Sequence, residues 1–278
     1  MFPIRDNNPT STVPYMTIGL ILINTVVFIL QLSAPHGLND PLIWKYGFVP
    51  AELVFSSSEF DAAMNQYPPV KPITDRYGRS AIDFRTGKPI VQKDVDAIKA
   101  AEAIPATINI VTCMFLHGGW MHLIGNMLFL WVFGNNVEDR LGPALYLIFY
   151  LATGVCGNLA HTFFEPSLMP LVGASGAISG VMGAYLLLFP RSRILAIVPI
   201  GYYPVTLNLP AFMYLGFYIL LQNLFPAFRG SEGNVAYWAH IGGFAAGMAL
   251  IAVLPKRPHH PRLVPAEDAG ADDADFVL

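Results

Sequence analysis

Charge is scarce in this sequence. Of its 278 residues only 13% are Asp, Glu, Lys or Arg, while 54% are hydrophobic, and the mean hydropathy is positive. A soluble domain carries about 25% charged residues, so about half the usual complement is missing. The deficit is local, in long uncharged apolar blocks, which excludes a large soluble core in favour of a bilayer. The net charge of −3, with no basic run and no aromatic-basic interleaving, excludes nucleic acid as a partner. There are two cysteines, Cys113 and Cys156, with neither metal spacing nor a disulfide framework, and both read as packing residues. No His-Glu-x-x-His stands in the chain, which removes zinc hydrolysis of that type. The apolar blocks hold no carboxylate, which removes an aspartyl mechanism and argues against ion-coupled transport. No metal site is expected.

Six blocks are long enough to span about 30 Å of hydrocarbon: 15–34, 119–137, 143–164, 171–190, 205–225 and 235–254. They predict an all-α, polytopic, six-transmembrane-helix bundle over 15–254. Residues 1–14 are too polar and short for a cleaved signal, so they are expected as a cytoplasmic tail ahead of a retained signal anchor. A long polar first loop is expected at about 35–118. Within it Ser80 to Gln92 reads as a hairpin, Lys93 to Ile104 as an amphipathic helix, and the short apolar stretch 105–118 as interfacial. Residues 255–278, Pro-rich and then acidic, read as a disordered cytoplasmic tail. With the N-terminus inside, the inner short loops and tails hold Arg5, Arg140, Arg191, Arg193, Lys256, Arg257 and Arg262, against Arg229 outside. That bias predicts both termini in the cytoplasm; a prokaryotic cell (inner) membrane is the expected location.

Polar residues inside the spans carry the chemistry. On this topology Ser175, His240, His122 and Asn126 lie in one outer layer of spans four, six and two, and such costly groups are functional by default. The row Gly176, Gly180, Ala184 gives span four a small-residue face, and Ala239, Gly243, Gly247 gives span six another, so the two backbones can approach closely. Such rows also serve plain helix packing, and serines also bond their own helix backbone. The coincidence is what points to acyl transfer. A serine hydroxyl needs a base, a neutral imidazole suits that task, and no intramembrane carboxylate is present to make a triad. His122 and Asn126, four apart, share a helix face and can donate to an oxyanion beside the Ser175 backbone N–H, although Asn126 also suits an interhelical hydrogen bond.

Gly173-Ala174-Ser175-Gly176, Ala239-His240-Ile241-Gly242-Gly243 and the run from His117 through Trp120 and His122 to Asn126 resemble the rhomboid family of intramembrane serine proteases. So do Lys45 to Pro50 and Gly134 to Gly142. The resemblance covers all six spans in order. It implies a rhomboid-like six-helix core, a Ser175–His240 dyad, His122 and Asn126 on the oxyanion side, and no cofactor. It implies transmembrane protein substrates, cut near the outer face among membrane lipids, and a span five around Phe212 to Phe225 that gates lateral access. Three departures stand out: Ile108-Asn109 replaces a Trp-Arg pair, Ser179 replaces a Tyr four residues after the nucleophile, and the first loop is enlarged by about 59–104. A non-cleaving rhomboid-like binder and a transporter are the competing readings. The first would lack Ser175, His240 or Gly176, and the second would move solute through the bundle.

Overall fold

The structure is a computed structural model that describes residues 1–33, 41–56, 58–60, 62, 104–200, 203–229 and 235–258. The hairpin expected at Ser80 to Gln92, nearly all of the helix expected at Lys93 to Ile104 and the tail beyond 258 lie outside the described residues. The chain runs β1 (Phe2–Asp6), α1 (Tyr15–Ser33), α2 (Pro41–Tyr46), α3 (Ala51–Val54) and α4 (Ala106–Thr112), which ends in a 3-10 turn at Cys113–Phe115. Then follow α5 (Trp120–Leu141), α6 (Pro143–Phe164), α7 (Ser175–Leu188), β2 (Arg193–Ile200) and β3 (Tyr203–Pro210). The last elements are α8 (Ala211–Ile219), a π turn at Leu220–Leu224, α9 (Phe225–Arg229) and α10 (Tyr237–Val253).

Helix α1 has the inside-out arrangement of a membrane helix. Its buried positions are Thr17, Leu20, Asn24, Phe28 and Gln31, spaced three and four apart, and three of the five are polar. Its exposed face carries Leu22, Ile23, Val26, Ile29 and Leu30, an apolar surface that water does not tolerate and lipid does. Among the described residues three helices, Tyr15–Ser33, Pro143–Phe164 and the composite Ala211–Arg229, are long and apolar enough to cross a membrane. The pair Ala106–Phe115 and Trp120–Leu141, bent by 83°, makes a fourth if taken as one span. Helices α7 and α10 are apolar but shorter, at 14 and 17 residues. The chain is thus a mostly helical integral membrane protein.

The expectation of an all-α fold needs correction. An antiparallel sheet of order β1-β2-β3 closes one end of the bundle. Strand β1 lies in the N-terminal stretch read as a tail, and β2 and β3 form the connection between α7 and α8. Helix α5 also runs past its predicted end at Val137 and takes in Glu138 and Asp139, which are 2% and 3% exposed. Buried carboxylates need partners, and the N-terminal segment supplies them. The Met16 and Thr17 backbone N–H groups and the Thr17 hydroxyl donate to Glu138 at 2.7–2.8 Å. A carboxylate therefore caps the positive end of α1 from another helix. Ser11 and Thr12 bond Asp139 in the same way. Gly142, at φ 78°, then ends α5, and Pro143 starts α6 in the next residue.

Candidate active site

Helix α7 begins at Ser175, four residues later than the predicted span. The lead-in is extended because its backbone groups are used elsewhere. Leu171 exchanges two hydrogen bonds with Phe48, and the Gly173 N–H donates to the Cys113 carbonyl at 2.9 Å. Gly173 has φ 121°, a conformation that side chains resist. Ser175 therefore opens a helix, where its N–H lacks an intrahelical acceptor. Its Oγ lies 2.7 Å from His240 Nε2, in the first turn of α10, 65 residues away in sequence.

Close contact of α7 and α10 makes this meeting possible. A Cβ on Gly243 would strike the Gly176 carbonyl, and one on Gly247 would strike the Gly180 carbonyl. Gly180 in turn lies against the Thr153 side chain of α6. The small-residue rows thus face each other one turn apart, without side chains between the backbones.

His122 and Asn126 stand in the first two turns of α5. The His122 Cε1 and Nε2 atoms lie 2.7 Å from where a Cβ on Gly173 would be, and Asn126 Nδ2 lies 3.7 Å from the same point. His122 Nδ1 accepts from the Gly118 N–H at 3.3 Å. The neutral ring then carries its proton on Nε2, the atom nearer the lead-in. Asn126 Nδ2 is buried and has no hydrogen-bond partner among the described residues. Two donors therefore converge beside the segment that leads into Ser175. His117 packs its ring edge-on against that of His122, with centroids 5.2 Å apart, while its N–H donates to Gln31 Oε1 at 3.0 Å and its carbonyl accepts from Gln31 Nε2 at 3.2 Å, which ties α1 to the start of α5.

Two residues at this site escaped the sequence reading. Asn223, in the π turn, places Oδ1 2.6 Å from His240 Nδ1, while its Nδ2 donates to the Tyr218 carbonyl at 2.9 Å. The Tyr218 hydroxyl lies 2.7 Å from the hydroxyl of Ser179. The signal for Asn223 was its own polarity within an apolar span, the same signal that singled out Ser175 and His240.

A family model described as Rhomboid domain matches residues 106–257, more than half of the chain. Rhomboid protease GluP of Bacillus subtilis is 35% identical over 146 residues, covering 52% of this chain and 26% of that protein. Rhomboid protein 1, mitochondrial, of Saccharomyces cerevisiae is 30% identical over 151 residues, with coverage of 52% and 41%. RHOMBOID-like protein 4 of Arabidopsis thaliana is 36% identical over 173 residues, with coverage of 61% and 40%. The chain spans about half or less of the length of these relatives. Its matched region holds the helices that carry Ser175, His240, His122 and Asn126, and the chain belongs to the rhomboid family.

Proposed function

We propose that this chain is an intramembrane serine endopeptidase that cuts transmembrane segments near the outer membrane face, with Ser175 as nucleophile and His240 as base. The observation that carries the proposal is the 2.7 Å contact between Ser175 Oγ and His240 Nε2 across two helices. The Ser175 proton passes to His240 Nε2 as Oγ attacks the scissile carbonyl carbon. The resulting oxyanion accepts from the Ser175 N–H, Asn126 Nδ2 and His122 Nε2–H, and Asn126 Nδ2 has no competing partner among the described residues. His240 then returns the proton to the leaving amine, and water hydrolyses the acyl-enzyme by the same route in reverse.

In the bilayer the chain makes six spans with both termini cytoplasmic, α7 and α10 being the short spans. The basic residues support this orientation. The Arg257 N–H donates to the Arg140 carbonyl at 2.7 Å, and Arg5 of β1 pairs with Leu195, close to Arg193. These groups gather at the sheet end, opposite the end where α5, α7 and α10 begin, as the positive-inside bias requires. A prokaryotic inner membrane is the location we favour, by analogy with the bacterial relative named a rhomboid protease.

The test uses the full chain in proteoliposomes. A fluorophosphonate is expected to label wild type but not Ser175→Ala, and a reconstituted transmembrane substrate is expected to be cut only by wild type. Cleavage that survives Ser175→Ala sinks the assignment.

A further inference from the structure

A serine protease base needs something on its far nitrogen. In the triad a carboxylate accepts from Nδ1–H and so fixes both tautomer and ring orientation. The six spans predicted from the sequence hold no carboxylate, which left His240 without such a partner. The Asn223 amide meets His240 Nδ1 at 2.6 Å. Its orientation follows from its other contact. The Tyr218 backbone carbonyl can only accept, so the group 2.9 Å from it must be the amide NH2. Oδ1 is therefore the atom that faces His240, and an amide oxygen can only accept. The imidazole proton then sits on Nδ1, and Nε2 presents a free lone pair to Ser175.

The helix is irregular where this residue stands. Residues 220–224 form a π turn, closed by the Phe225 N–H on the Leu220 carbonyl, and such turns collect at functional sites. Upstream, the Ser179–Tyr218 hydroxyl pair pins α8 to α7.

We propose that Asn223 is a positioning residue for His240, an uncharged substitute for the triad carboxylate delivered by span five. The role rests on the protease reading above, but one of its readouts does not need activity.

In the full chain labelled with 15N-histidine, NMR reports which ring nitrogen of His240 carries the proton. Wild type and Ser175→Ala are both expected to show Nδ1–H, and Asn223→Ala a mixture of tautomers. In proteoliposomes, Asn223→Ala is expected to lower kcat about 100-fold with KM within about twofold, the scale of a disturbed general base. Fluorophosphonate labelling of Ser175 should slow by a similar factor, because that small reagent bypasses substrate access between the helices. Asn223→Asp keeps an acceptor oxygen and is expected to recover kcat to within about tenfold of wild type. A wild-type proton on Nε2, a wild-type kcat in Asn223→Ala, or a loss confined to KM overturns the role. If Asn223→Ala does not fold, the wild-type tautomer and the Asp variant decide. If no Ser175-dependent cleavage occurs while the tautomers behave as stated, the protease reading falls and the Asn223–His240 contact stands.

Discussion

Asn126 illustrates how one buried donor divides structure from chemistry. Its Nδ2 is buried without a partner among the described residues, an arrangement that costs about 1–3 kcal/mol when nothing compensates. A donor kept at that cost near the Gly173 lead-in fits a group reserved for the developing oxyanion. Asn126→Ala is therefore expected to lower kcat about 100-fold or more while leaving the thermal midpoint unchanged or slightly raised, since it removes an unsatisfied group. Parallel kinetics and thermal unfolding in detergent check this, and a matched fall in both quantities would assign Asn126 to packing instead. The pairing of Ser175 with His240 was expected from the facing small-residue rows, whereas the partner of Asn223 was not legible. Ser175, His240, His122 and Asn126 stood out as polar groups in apolar spans. Asn223 did so equally, but nothing in its spacing linked it to His240, because the link is made by helix rotation and not by sequence separation.

At the scale of elements, α7 and α10 form the stiff part of the site. Their glycines bring backbone against backbone, so Gly243→Ala has no room and must drive the helices apart. A loss of about 1–3 kcal/mol is expected from such overpacking. Gly19→Ala on α1 is the control, because nothing lies within 4 Å of the added methyl, and it should be neutral or stabilising by up to about 1 kcal/mol. Differential thermal unfolding of the two variants reads both. The hydropathy blocks located these helices well, since a bilayer demands long apolar runs. Their ends were less legible. Leu171 and Val172 are apolar enough to extend α7, yet the backbone there pairs with Phe48, and Gly173 adopts a non-helical φ. At the end of α5, Glu138 and Asp139 looked like loop residues because their partners lie more than 120 positions away.

For the whole molecule, the sheet was the least legible feature. Strand β1 is five residues long and pairs with a strand about 190 positions later, so no local pattern announces it. Its consequence is that the N-terminal segment is built into the fold. Asp6 sits in this joint, accepting from Asn136 at 2.8 Å and from the Tyr185 hydroxyl at 2.5 Å. Burial pushes its carboxyl up from 3.8 to about 6, outweighing those hydrogen bonds. The folded state thus holds this proton more tightly than the unfolded chain. The stabilisation is complete below about pH 4 and is lost as pH rises through about 6. Relative to Asp6→Asn, which cannot titrate, the wild-type thermal midpoint is expected to fall by a few degrees between pH 4.5 and 7. A flat difference between the two proteins across that range would remove Asp6 from the account.

The wide turn at 220–224 also fixes how span five can vary. In a regular α-helix each residue advances by about 100° around the axis. A chain one residue shorter between Tyr218 and Asn223 would close into ordinary helical turns and swing the amide away from His240 by about that angle. Span five can therefore exchange lipid-facing side chains such as Leu220 and Leu221 freely. It cannot gain or lose a residue there and still meet His240, so the length of this segment is fixed more tightly than its composition.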